Sequence, residues 1–291
     1  MPRCKANGIE LEYETFGDPA APTLLLVMGL GMQLLGWDPE LCRRLAARGF
    51  HVIRYDNRDV GLSTGFDEAG LPDLAALFTD PSGAPYLLED MAEDAAGLLA
   101  GLGIGAAHVV GVSMGGMIVQ ELAIRHPEAV RSLCSIMSTT GAREVGQPTP
   151  AALAALTAPP GADREGAIER GLRTWRVLES PAYPHTDEQL RDTTAAAYDR
   201  ANRPAGSARQ LAAILGSPDR TERLRALRVP TQVIHGEADP LVDVSGGRAT
   251  AAAIPDARLL LLPGMGHDLP EALWDRYVDA IVANAQRAEG R

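Results

Sequence analysis

Gly111-Val112-Ser113-Met114-Gly115 joins two unlike patterns of sequence. Before it, His108–Val112 is short and almost wholly apolar, as a buried strand is. After it, Met114–His126 carries Ile118 and Leu122 at helical spacing. A strand that runs straight into a helix must turn sharply, and the residue at the turn is strained, with its side chain lifted above the sheet edge. Ser113 occupies that place. Neighbouring backbone crowds such a turn, so small residues are needed two positions to either side, and Gly111 and Gly115 supply them. Gly116 eases close packing of the helix, whose N-terminal dipole favours negative charge developing beside Ser113.

Outward from this junction the chain alternates. Arg3–Ala6 and Ile9–Phe16 flank Asn7-Gly8, a dipeptide that accepts the positive φ of a tight hairpin. Ile9, Leu11 and Tyr13 alternate with Glu10, Glu12 and Glu14, which predicts one wet face. Leu24–Met28, Val52–Tyr55, Leu133–Met137, Gln232–Ile234 and Arg258–Leu262 are short apolar runs that fit strands buried on both faces. Helical patterns lie between them. Asp38-Pro39 opens one as N-cap and first residue, and Gly49 ends it. Met91, Ala95, Leu98, Leu99 and Leu102 line the next, and Leu269–Arg287 makes the last. This order predicts an α/β architecture, a mostly parallel eight-stranded sheet flanked by helices.

From Gly141 to Ser217 the alternation stops. Ala151–Leu156, Glu165–Leu178 and Thr186–Tyr198 read as helices, and Pro148, Pro150, Pro159, Pro160, Pro181, Pro184 and Pro204 punctuate them. The segment is expected to be a helical cap, residues 141–217, inserted into a core made of residues 1–140 and 218–291.

A serine hydroxyl is a weak nucleophile at neutral pH and needs a base to take its proton. The base is expected after the last strand, where Pro263-Gly264-Met265-Gly266-His267 can turn back over Ser113. The acid that orients the base is expected after the penultimate strand. Asp239 is the choice there, with Glu237 and Asp243 as nearby alternatives. Two backbone N–H groups are expected to stabilise an oxyanion: Met114, just past the nucleophile, and Leu30 in Met28-Gly29-Leu30-Gly31. Met28, Gly29, Met137 and Trp175 are the expected substrate contacts, the methionines because they adapt to an apolar ligand.

Other classes fit poorly. The 291 residues carry 27 basic and 38 acidic side chains, a net charge of −11 with no basic run, which argues against nucleic acid. The 46% hydrophobic content suits a packed core, but no stretch reaches the ~20 apolar residues of a membrane span. Charge appears by the third residue, so no signal peptide is expected, and three scattered cysteines suggest reduced thiols in a cytoplasm. His235-x-Glu237-x-Asp239 has no partner cluster that would complete a metal site. Gly29-x-Gly31 and Gly101-x-Gly103-x-Gly105 mimic a dinucleotide fingerprint, but the first lacks a prompt helix and the second ends one. No cofactor or metal is therefore expected, the oligomeric state stays open, and the expected partner is a small molecule.

The order nucleophile, acid, base, with helices inserted between strands, resembles the α/β-hydrolase superfamily over the whole chain. Tyr55-Asp56-Asn57-Arg58-Asp59-Val60-Gly61-Leu62-Ser63 resembles a loop that is chiefly structural in that family. Leu26-Val27-Met28-Gly29, His51-Val52-Ile53-Arg54-Tyr55-Asp56 and Pro263-Gly264-Met265-Gly266-His267 are similar to the aclacinomycin methylesterase family, over the core but not through the cap. The resemblance implies hydrolysis of a carboxylic ester through an acyl-serine intermediate. Met28 stands where the wider family commonly has His. A C–C bond hydrolase, a lactonase and a perhydrolase are the alternatives on the same residues, and a hydrolase-fold ligand receptor is the non-enzymatic one.

Overall fold

The computed structural model describes residues 2–78 and 80–289. Eight strands form one sheet: β1 (Arg3–Ala6), β2 (Ile9–Phe16), β3 (Thr23–Val27), β4 (His51–Tyr55), β5 (Ala107–Val112), β6 (Val130–Ile136), β7 (Thr231–Gly236) and β8 (Arg258–Leu262). Their order across the sheet is β1-β2-β4-β3-β5-β6-β7-β8. β1 pairs with β2, and β2 with β4, in antiparallel sense; every later pair is parallel.

Period-two alternation sends each strand's side chains to both faces. Leu25 and Val27 of β3 pack into one core with Val109, Met91, Leu98 and Ile118, while Leu24 and Leu26 pack into the other with Leu41, Leu45, Tyr277 and Ile281. Helices α1 (Pro39–Ala47) and α10 (Trp274–Glu289) cover the second face, and α2 (Leu88–Gly101) and α3 (Met114–Arg125) cover the first. Burying each such Leu or Ile contributes roughly 1.5–3 kcal/mol. Asp38 caps α1 by accepting from Glu40 N–H at 2.6 Å, and Gly49 follows the helix at φ 90°. Gly101 lies against β1, where a Cβ would come within 3.0 Å of the Lys5 carbonyl, and Gly103 turns the chain at φ 73°. That run of glycines is a helix end.

Two expectations about burial are corrected. Glu12 is buried rather than wet, because the Ser63–Thr64 turn folds over β2: Glu12 N–H donates to Ser63 Oγ at 2.9 Å, and Arg3 Nε reaches the Glu12 carboxylate at 3.1 Å. β8 is not buried on both faces. It is the edge strand, with β7 its one sheet neighbour, and Leu259 is 38% exposed.

Between β6 and β7 lie α4 (Pro150–Leu156), α5 (Arg164–Leu178), α6 (Asp187–Arg200), α7 (Pro204–Gly216) and the short α8 (Thr221–Leu224), with no strand among the described residues there. α9 (Ser245–Ala253) connects β7 to β8. α7 is absent from the pattern read in the sequence, although Ala208, Leu211, Ala212 and Leu215 stand at helical spacing; its buried positions include the polar Arg209 and Gln210.

Candidate active site

β5 delivers Ser113 and α3 begins at the next residue. Ser113 has φ 55° and ψ −119°, a conformation that costs an L-residue about 1–3 kcal/mol. The surroundings hold it there. Ser113 N–H donates to the Ile136 carbonyl at 2.9 Å, and Ser138 Oγ donates to the Ser113 carbonyl at 2.8 Å. A Cβ on Gly111 would strike the Gly115 carbonyl, and one on Gly115 would strike the Val27 carbonyl, so the turn closes only with glycine at both places.

The loop after β8 brings His267 over this turn. His267 Nε2 lies 2.9 Å from Ser113 Oγ, and His267 Nδ1 lies 2.7 Å from Asp239 Oδ2. Asp239 Oδ1 accepts from the N–H groups of Leu241 and Val242, each at 2.9 Å, so the loop after β7 fixes the carboxylate. Burial would raise the Asp239 carboxyl, but His267 and His235 beside it outweigh burial and hold it well below the usual carboxylate range. The carboxylate is therefore anionic at neutral pH and faces the ring nitrogen opposite the serine. Glu237 instead points toward Arg248, 3.9 Å away, and Asp243 accepts from Ser245 N–H at 2.9 Å. Neither of these two alternatives is hydrogen-bonded to His267.

His235, Glu237 and Asp239 have separate tasks. His235 Nε2 lies 2.8 Å from the Val242 carbonyl and so braces the Asp239 loop. Among the described residues no cluster of His, Cys, Asp and Glu is arranged to hold a metal ion.

The loop after β3 lies beside the serine. A Cβ on Gly29 would come 3.2 Å from Ser113 Cβ and 3.7 Å from its Oγ. The backbone N–H groups of Leu30 and Met114 have no hydrogen-bond partner among the described residues. Gly31 N–H is already engaged, donating to Gln210 Oε1 at 2.8 Å. Asn57 Nδ2 donates to the Met28 carbonyl at 2.9 Å, and Asp56 Oδ1 accepts from Leu34 N–H at 2.7 Å. The loop Tyr55–Ser63 thus orders the loop after β3.

The expected substrate contacts stand in different surroundings. Met28 is buried with its thioether against Gly36, Met137 is buried just past β6 at φ 42°, and Trp175 is half-buried on α5. Several residues around the site escaped the sequence reading. Gln210, Arg200, Ser138 and Ser180, remote in sequence from the loops they hold, and Asp268, next to His267, fasten the loops around Ser113 and His267. Only the order Gly266-His267-Asp268 could have pointed to one of them.

Chemically, an anionic carboxylate, an imidazole and a hydroxyl in one hydrogen-bonded row can move the serine proton onto the ring as the oxygen attacks.

Comparison with known proteins agrees with this architecture. Residues 22–271 match the family model described as the alpha/beta hydrolase fold. The rhodomycin D methylesterases DauP of Streptomyces sp. strain C5 and DnrP of Streptomyces peucetius are each 30% identical, over 96% of this chain and 96% of their own lengths. The enol-lactonase of Burkholderia xenovorans LB400 superposes with a TM-score of 0.75 at 25% identity, covering 98% of this chain and 100% of that one. With the family model spanning most of its length, this chain belongs to the α/β-hydrolase fold family.

Proposed function

We propose that the protein is a serine esterase that cleaves a carboxylic ester through an acyl-Ser113 intermediate. The observation that carries this reading is the row Asp239–His267–Ser113, with contacts of 2.7 and 2.9 Å at a strained strand-to-helix turn. His267 Nε2 accepts the Ser113 proton as Oγ attacks the ester carbonyl, and Asp239 holds the ring in the required tautomer and stabilises its cation. The oxyanion of the tetrahedral intermediate accepts from the N–H groups of Leu30 and Met114, each donor contributing ~3 kcal/mol. His267 then returns the proton to the leaving alcohol. A second pass with water in place of serine releases the acid. Side chains and backbone of this chain perform every step, so no cofactor or metal enters.

The methylesterase relatives support a small ester, such as the methyl ester of an apolar metabolite, as substrate. The likeness to an enol-lactonase favours a cyclic ester as the second reading on the same residues. In this account residues 141–217, with α4 to α7, form a cap over the site, and Met28, Gly29, Met137 and Trp175 contact the substrate. The described cysteines, Cys4, Cys42 and Cys134, are buried and unpaired, which supports a reducing, cytoplasmic location.

The test is turnover of p-nitrophenyl, methyl and lactone esters by Ser113→Ala, His267→Ala and the double variant. Each single change should remove turnover by ~10³-fold or more, and the pair little more than either, because the two act as one unit. A folded Ser113→Ala protein that kept most of its activity would overturn the reading.

A further inference from the structure

The loop that carries His267 has no helix or strand of its own, yet three consecutive residues are fastened to one place. His267 N–H donates to the Leu178 carbonyl at 2.7 Å, and Gly266 N–H donates to Ser180 Oγ at 2.8 Å. Asp268 Oδ1 accepts from Ser180 N–H at 3.1 Å and also from the Ser180 hydroxyl. The Ser180 side chain therefore accepts from one side of His267 and donates to the other. Gly266 is required by the closeness: a Cβ there would lie 2.7 Å from the Leu178 carbonyl and 2.6 Å from that of Glu179.

These contacts join the base-bearing loop to the end of α5. Ser180 and Asp268 are both buried. A buried carboxylate is unfavourable unless it is hydrogen-bonded, and Ser180 supplies two such bonds to Asp268. Burial raises the Asp268 carboxyl above its ordinary range, and the two hydrogen bonds from Ser180 work against that rise. Asp268 Oδ2 faces His185, with 3.5 Å between that oxygen and Nδ1, and neither atom has a hydrogen-bond partner among the described residues. The bonds on the Ser180 side tie the backbone of residues 266–268 to that of residues 178–180.

We propose that Ser180 and Asp268 are positioning residues for His267: the hydroxyl and carboxylate clamp the loop 266–268 onto the end of α5, so that α5 sets the distance between His267 Nε2 and Ser113 Oγ. The inference rests on the reading of His267 as the base. It makes the helices between β6 and β7 part of the catalytic geometry as well as part of the substrate's surroundings.

The experiment compares Ser180→Ala, Asp268→Ala and Asp268→Asn with wild type and His267→Ala in the full-length protein. It measures kcat and KM for p-nitrophenyl acetate, the melting temperature, and the low-field Nδ1–H proton resonance of His267. Both alanine variants should lower kcat by ~10- to 100-fold, as expected for a displaced base, with KM within about twofold. The resonance should broaden or move. Asp268→Asn should recover most of the loss, since an amide oxygen still accepts both Ser180 hydrogen bonds. Ser180→Cys, nearly isosteric with a weak donor and acceptor, carries the same expectation as Ser180→Ala should the alanine variants fail to fold. A lowered melting temperature with unchanged kcat and resonance, or an Asp268→Asn protein as impaired as Asp268→Ala, would overturn the clamp. An active His267→Ala would overturn the base assignment and the clamp with it. An inactive His267→Ala beside undiminished Ser180 and Asp268 variants would overturn the clamp alone.

Discussion

The central strands and the helices between β6 and β7 bury different things. β3, β4, β5 and β7 are buried at every position, and half of the residues they bury are Leu, Ile or Val. α5 and α6 together bury only Ile168, Leu178 and Leu190, and exposed charged pairs bridge their surfaces: Arg164 meets Asp199 through two contacts of 2.7 Å, and Arg191 meets Glu165 at 2.7 Å. Polar side chains also tie α6 and α7 to the sheet. Gln33 Nε2 donates to the Ala197 and Ala201 carbonyls, Arg200 pairs with Asp56 at 2.7 Å, and Gln210 Nε2 donates to the Arg58 carbonyl. Apolar burial is non-directional and makes the sheet a firm platform. Hydrogen bonds and ion pairs are directional, and they fix the helices at points.

The sharpest contrast lies at the site, where the proposed orienting acid is one carboxylate from the platform. Asp239→Asn keeps the loop's shape but favours the wrong tautomer of His267, and should lower turnover on the order of 10⁴-fold. Glu237→Gln and Asp243→Asn should cost little. If Asp243→Asn is the crippling change, the wrong carboxylate has been assigned.

Next in size is the anchor of α7. Arg209 is buried against Asp59, with contacts of 2.7 and 2.8 Å, and Tyr86 donates its hydroxyl to the same carboxylate. Arg209→Met leaves that carboxylate buried without its cation, a loss of about 3–5 kcal/mol. Hydrogen exchange should rise in α7 before it rises in β3 to β7. Burial opposes ionisation of Asp59, but the Arg209 hydrogen bonds, the Phe66 N–H and Tyr86 outweigh it and lower the carboxyl. A carboxyl lowered by folding contributes stability that is fully present above its unfolded value, near ~3.9, and is lost as pH falls through the folded value. Acid below about pH 4 should therefore release α7 first. Simultaneous loss of α7 and sheet protection would remove the distinction between the two regions.

Trp175 on α5 is smaller in effect and tests selectivity. Trp175→Ala should change the ratio of kcat/KM for bulky against small esters by an amount equivalent to ~1–3 kcal/mol. An unchanged ratio with a lower melting temperature would make Trp175 an anchor only. Smallest of all, Arg164→Ala removes an exposed pair and should leave melting temperature and turnover unchanged, because solvent screens such contacts.

Legibility in the sequence follows the same division. A strand buried on both faces writes its pattern in consecutive residues, so Leu24–Val27 and the turn at Ser113 could be read directly, as could the Asp38-Pro39 start of α1. The departures come where a neighbour remote in sequence decides. Glu12 is buried by the Ser63–Thr64 turn, and β8 is exposed because it lies at the sheet edge. α7 has apolar residues enough for a helix, but its buried positions include Arg209 and Gln210, whose partners, Asp59 and the Gly31 N–H, lie far away in sequence. Ser180 meets Asp268 across 88 positions, a separation at which no local pattern speaks. Asp239, Glu237 and Asp243 stand within one loop and look alike in sequence. Reach to His267 is what separates them.

The claim at the centre is that Ser113 becomes covalently acylated, and trapping that bond tests it most directly. The protein is reacted with a fluorophosphonate, digested, and the modified peptide identified by mass. The account predicts a single adduct on Ser113, formed far more slowly in His267→Ala and absent in Ser113→Ala. Ester turnover that proceeds while no adduct forms on Ser113, or an adduct on another residue that abolishes turnover, would contradict it.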